Sequence, residues 1–131
     1  MEKAVREKLL NGLDQVEKGE EYSSERGGIV LRDEHFQTVA FLAKSLSDEN
    51  RLRIVQCVSN GKKSVSSIVE EIGLSQPLVS HHLRELKRSL LVTVERSGPF
   101  IYYELADPRI LDVIRTLNTV ATDLLAARKT F

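Results

Sequence analysis

Cysteine is nearly absent from this chain, with Cys57 the single one in 131 residues. One thiol excludes an intrachain disulfide and a cysteine-rich metal site, and it fits a reducing compartment. No apolar run approaches the roughly 20 residues of a membrane span, and the N-terminus lacks the continuous apolar stretch of a secretory signal. The expectation is a soluble, cytoplasmic protein with no membrane partner. An excess of charge is missing as well: 19 Lys and Arg balance 19 Asp and Glu, so net charge does not announce a nucleic-acid binder. Catalytic signatures are also lacking. There is no nucleophile elbow, P-loop, dinucleotide fingerprint or metalloprotease helix, and Cys57 lies in an apolar pattern with no spaced histidine partner. The chain reads as a non-enzyme without a cofactor, and Cys57 as a plain core residue, since reactivity needs exposure and a neighbour that stabilises the thiolate.

What is present is uneven in its distribution. Acidic residues crowd the first thirty-four positions, whereas Arg51, Arg53, Lys62, Lys63, Arg84, Lys87, Arg88 and Arg96 gather in the middle. A local basic patch binds a phosphate backbone whatever the total charge. With 41% hydrophobic residues, the chain can bury one modest core, to which an arm is appended. Residues 1–30 are read as that arm and its linker, and residues 31–131 as the folded domain.

The most informative stretch is GLSQPLVSHHLRELKRSLL, residues 73–91. Ser75 as an N-cap and Pro77 in the first turn mark a helix start. Val79, Leu83, Leu86 and Leu90 recur at helical spacing as one apolar stripe. The opposite side reads Gln76, Ser80, His81, Arg84, Lys87 and Arg88, groups able to meet base edges or phosphates. Before it, SVSSIVEEIG forms a short helix capped by Ser66 and stopped by Gly73, which completes a helix-turn-helix signature. The bland alternative is a solvated basic face, and the helix pattern alone does not separate the two.

Elsewhere the periodicity predicts a helix over residues 1–19, a polar linker closing on Gly27-Gly28, and a second helix from Asp33 that carries Phe36, Val39, Ala40, Ala43 and Leu46. Ser47-Asp48 caps a third helix, which ends at Asn60-Gly61. The β-rich runs LVTVER and FIYYEL, separated by Ser97-Gly98-Pro99, predict a hairpin wing that brings Arg96 near the flanking backbone. Its more apolar set is Ile101, Tyr103 and Leu105, with Tyr102 pointing outward or toward a neighbour. Asp107-Pro108 then starts a terminal helix. Along it Ile110, Ile114, Leu117, Ala121 and Leu124 keep helix-packing spacing, more apolar surface than so small a domain hides. Pairing with a second copy, together with Phe36 and Ala40 of the Asp33 helix, would bury the excess.

Taken together, LSDENRLRIVQCVSNG, VSSIVEEIGLSQPLVSHHLRELKRSLLV and a hairpin ending IYYEL resemble the ArsR/SmtB family of winged-helix transcriptional repressors, over residues 36–117. The resemblance implies a mainly α fold with a small β-hairpin, a winged helix-turn-helix dimerising through terminal helices. It implies a homodimeric repressor on an inverted-repeat operator in double-stranded DNA, with Ser75, Gln76, Ser80, His81, Arg84, Lys87, Arg88 and Arg96 at the DNA, released by an effector that no residue signal identifies. Many relatives sense metals, and here the sequence departs from them. Ser64 stands where the helical metal motif has a cysteine. At the terminal-helix site Asp107 and Asp123 match, but Arg109 and Val120 replace imidazoles. Because a guanidinium cannot ligate a cation, no metal site is expected; His81 and His82 belong to the recognition helix, and His35 is solitary. The rival reading is a winged-helix module that binds another protein without direct DNA readout.

Overall fold

The computed structural model describes residues 3–4 and 30–128. The helix expected over residues 1–19 and the linker after it lie outside these, apart from Lys3 and Ala4, which are helical. The chain divides into two units, Met1–Ser47 and Asp48–Phe131. In the first, α1 spans Asp33–Leu46. It begins without a Ser, Thr, Asp or Asn cap. Instead the backbone N–H of Arg32 donates to His35 Nδ1 at 3.1 Å, so the imidazole takes the part that Glu or Gln plays in a capping box. Asp33 and Glu34 in the first turn and Lys44 in the last complement the helix dipole.

The second unit begins with Asp48, whose carboxylate accepts the Arg51 N–H at 3.0 Å and caps α2, Glu49–Val58. Ile54, Val55, Cys57 and Val58 form the buried face of α2, the i, i+1, i+3, i+4 set that a helix against a core requires. A two-residue strand β1, Lys63–Ser64, follows. No sequence pattern announces it, because two residues are too few to alternate. It leaves Ser64 extended, and Ser64 rather than Ser66 caps α3, Val65–Ile72, by accepting the Ser67 N–H at 3.2 Å. Ser66 is already inside the first helical turn, where its backbone cannot adopt the extended shape of a cap. Gly73 closes α3 in the left-handed region, with φ at 75°.

Ser75 then caps α4, Gln76–Arg88. The stripe does not continue to Leu90, as the spacing suggested. Leu90 instead sits at φ 66°, its N–H donating to the Lys87 carbonyl and that of Leu91 to the Leu86 carbonyl, the two bonds of a Schellman stop. A leucine in that conformation costs on the order of 1 kcal/mol, offset by turning Leu91 and Val92 into the core. His82 fills the stripe beside Val79, Leu83 and Leu86.

Strands β2, Val92–Ser97, and β3, Phe100–Leu105, pair antiparallel, and the sheet order is β1-β3-β2. Ser97 faces Phe100 in the ladder, so the loop is Gly98-Pro99 alone. A glycine at φ 60° followed by proline is the order of a type II′ turn, which matches strand twist. Burial along β3 does not alternate: residues 101–105 are all half-buried. Tyr102 lies between Ser64 of β1 and Glu95 of β2, so of the two orientations expected it takes the one toward a neighbour. Last comes α5, Arg109–Ala127. Asp107 Oδ1 accepts the Arg109 N–H at 2.8 Å, so the aspartate does cap this helix start. Side chains from α2, α3, α4 and the start of β2 form the core. Each of its fully buried aliphatics contributes roughly 1.5–3 kcal/mol.

Candidate nucleic-acid interface

Helices α3 and α4 meet across Gly73-Leu74-Ser75 as a helix-turn-helix, and β2–β3 forms a wing beside it. One side of α4 is fixed by packing: Val79, His82, Leu83 and Leu86 are buried. Gln76, His81, Arg84, Lys87 and Arg88 are therefore exposed, with Ser80 half-buried between them. Ser75 is exposed too, but its Oγ accepts the Leu78 N–H at 3.4 Å, so only its hydroxyl proton is free to reach a phosphate. Leu78 and Pro77 also lie exposed beside Gln76. Sequence reading passed over Leu78, although its position off the Val79-Leu83-Leu86 stripe was a signal; an apolar side chain there suits a thymine methyl.

The mid-chain basic cluster is thinner than the sequence suggested. Arg53 is paired with Glu49 at 2.5 Å, Lys63 with Glu71 at 2.5 Å, Arg88 with Glu85 at 3.2 Å, and Lys62 with Glu95. Among the described residues Arg84, Lys87 and Arg96 have no such partner. These three sit on α4 and the wing, the two places from which a helix and a hairpin reach DNA. Arg96 lies across the ladder from Ile101, on the face of the wing shared with Val92 and Val94.

His82 is only 5% exposed. Its Nε2 lies 3.9 Å from Asp48 Oδ1, and its Nδ1 has no hydrogen-bond partner among the described residues. Burial holds the imidazole below its usual pKa, outweighing the attraction of Asp48. Cys57 is buried, as expected, yet its neighbours are not all apolar. The thiol donates to Glu71 Oε2 at 3.2 Å, and Lys63 Nζ lies 3.7 Å from Sγ. Burial pushes the thiol pKa up, and the Glu71 hydrogen bond adds to it, which disfavours a nucleophilic thiolate.

The residues at the family's metal positions do not fit a metal. The Ser64 hydroxyl is spent on capping α3. Asp107 is clamped by Arg109, with Nη2 to Oδ2 at 2.7 Å and Nε to Oδ1 at 3.2 Å, and the guanidinium holds its carboxyl below the usual range. Among the described residues no three His, Cys, Asp or Glu side chains gather as ligands.

Along α5, Ile110 and Ile114 are half-buried, whereas Leu117, Ala121 and Leu124 are exposed. Val113, Leu117, Val120 and Leu124 form the bare row, with Leu117 at 59% and Leu124 at 66%. In the first unit Phe36 is 58% exposed, and Ala40 is exposed as well. Among the described residues no helix is long and apolar enough to cross a membrane.

Residues 48–94 match the family model described as "Bacterial regulatory protein, arsR family". The chain is similar to the "Probable mercury resistance operon repressor" of Streptomyces lividans, 34% identical over 93 residues that cover 71% of this chain and 74% of that protein. It is similar also to the arsenical resistance operon repressor of Staphylococcus aureus, 32% identical over 87 residues, 66% of this chain and 84% of that protein. Among solved structures, the homodimeric winged helix-turn-helix DNA-binding domain of Mb0332 from Mycobacterium bovis matches with a TM-score of 0.62 at 26% identity, covering 72% of this chain and 91% of that one. A shared fold, an aligned helix-turn-helix and about one-third identity across most of the length of two operon repressors meet in one conclusion: this chain belongs to the arsR family of bacterial regulatory proteins.

Proposed function

We propose that the protein is a homodimeric, sequence-specific repressor of transcription that acts in the cytoplasm on an inverted-repeat operator and has no catalytic activity. The observation that carries this reading is the outward side of α4. Gln76, Ser80, His81 and Arg84 can meet base edges there, while Lys87, Arg88, Ser75 and Arg96 of the wing can hold phosphates. Two copies would join through the bare row of α5 and through Phe36 and Ala40, which spaces two recognition helices one helical turn of DNA apart. Residues 1–30 would then be an arm outside the DNA-binding domain of residues 31–131. No metal is part of the reading, since Ser64, Asp107 and Arg109 are committed to a cap and an ion pair.

The test is selection of duplexes from a random pool, followed by affinity measured against salt. The expected result is a selected inverted repeat, bound with a steep fall in affinity as salt rises. In Arg84→Ala a loss of about 1–3 kcal/mol and relaxed preference at one position per half-site are expected. A chain that selects no sequence and binds a protein with little salt dependence would instead be an interaction module.

A further inference from the structure

The tip of the wing is chemically unlike α4. Phe100 is the first residue after the Gly98-Pro99 loop and is 57% exposed. Its partner across the ladder is Ser97, too small a side chain to cover a phenyl ring. The ring meets that of Tyr102, two residues along the same face of β3, with centroids 6.3 Å apart. Glu95, which pairs with Tyr102 on that face, is bound to Lys62, so that carboxylate is compensated, while Glu104 lies farther from the tip across from Thr93. Arg96 lies on the opposite face, across from Ile101. The end of the hairpin thus offers an uncompensated cation on one side and a bare aromatic ring on the other.

We propose that Phe100 is an apolar wedge that the wing presses into the minor groove beside the half-site read by α4, with Arg96 on the adjacent phosphate. The inference rests on the DNA-binding reading above and adds a residue to it. The leading loop, Gly98-Pro99, carries no long side chain to hold the Phe100 ring away from the duplex. Side chains such as phenylalanine, set between base pairs, unstack them and kink the duplex, most easily at flexible pyrimidine–purine steps. The wedge therefore reads deformability where α4 reads hydrogen bonds, and it extends specificity to a flank that no polar side chain of the tip could decode.

The experiment uses the full chain and the duplex that wild-type protein selects from a random pool, with 2-aminopurine placed at the flanking steps. Binding by wild type is expected to raise the fluorescence of the probe and to weaken when the flank is replaced by a stiff A-tract. Phe100→Ala should lose roughly tenfold in affinity, as removal of a base-stacking aromatic does, together with the fluorescence change and the flank preference. Phe100→Leu should keep most of all three, and preference within the half-site should be unaltered in both variants. A folded Phe100→Ala that binds and unstacks like wild type overturns the wedge and leaves the DNA-binding reading intact. A variant altered only in self-association, by sedimentation, overturns it in favour of a protein contact. Wild-type protein that selects no sequence overturns the underlying reading and the wedge with it.

Discussion

At position 82 a titratable ring occupies a place in the α4 stripe that an aliphatic side chain would fill without consequence. The groups around His82 act against one another. Asp48 at the α2 cap and Glu85 favour the cation, Arg51 and His81 oppose it, and burial opposes it most. The cation would need acceptors at both ring nitrogens, and Nδ1 has none among the described residues. The folded protein therefore holds a neutral imidazole whose pKa lies below the unfolded value of about 6.5. The unfolded chain binds the extra proton, so stability is complete above about pH 6.5 and is lost as the pH falls below it. Urea unfolding at pH 7.5 and pH 5.5 should show a loss of stability in wild type that is smaller in His82→Leu. An equal pH dependence in both proteins would assign the acid sensitivity elsewhere. The residues that carry chemistry here are thus the least predictable, since a histidine pattern in sequence fits base readout, solvation and burial alike.

For helices, the decisive features are the ends. Serine occurs at positions 64, 66 and 67, and local preference cannot choose among them. Pairing of β1 with β3 does, because it fixes Ser64 in the extended conformation a cap needs. Ser64→Ala should destabilise the protein by about 1 kcal/mol, whereas Ser66→Ala, exposed within the helix, should stay within about 0.5 kcal/mol; denaturant midpoints at equal slope would measure both. The reverse order of effects would mean that α3 begins two residues later. The stop of α4 follows the same logic. A leucine at a left-handed position is a poor local choice, and only the burial of Leu91 and Val92 behind it explains why the helix ends there.

At the scale of the molecule, the balance between covered and bare surface decides how the chain assembles. Val113, Leu117, Val120 and Leu124 put a row of exposed aliphatics on one side of α5, and a second copy is the partner that symmetry favours. Leu117→Glu should shift sedimentation at micromolar concentration from dimer to monomer and abolish operator binding, because a buried unpaired carboxylate is costly. Wild-type protein that sediments as a monomer under the same conditions would contradict the proposed assembly. Regulation also belongs at this scale. Asp107 is bridged to Arg109 and Ser64 to the α3 backbone, so zinc, cadmium and arsenite should not release the operator complex. Release by stoichiometric metal, abolished in Asp107→Ala or Asp123→Ala, would show that the Arg109 clamp opens to admit a cation.

The sequence by itself determined the order of the helices from Asp33 onward, the helix-turn-helix with its Ser75 cap and glycine turn, the hairpin, and which side of α4 faces outward. Each of these follows from periodicity or from a cap or turn residue, and such signals are local. Only the tertiary structure decided that β1 exists, that Ser64 is the cap, that His82 replaces Leu90 in the stripe, and that Tyr102 is covered. It alone decided which cations remain uncompensated. Ion pairs such as Lys62 with Glu95 join residues 33 positions apart, and burial of a side chain depends on neighbours brought in from other elements. No spacing rule along the chain encodes either one, because both are set by which surfaces meet once the core has closed.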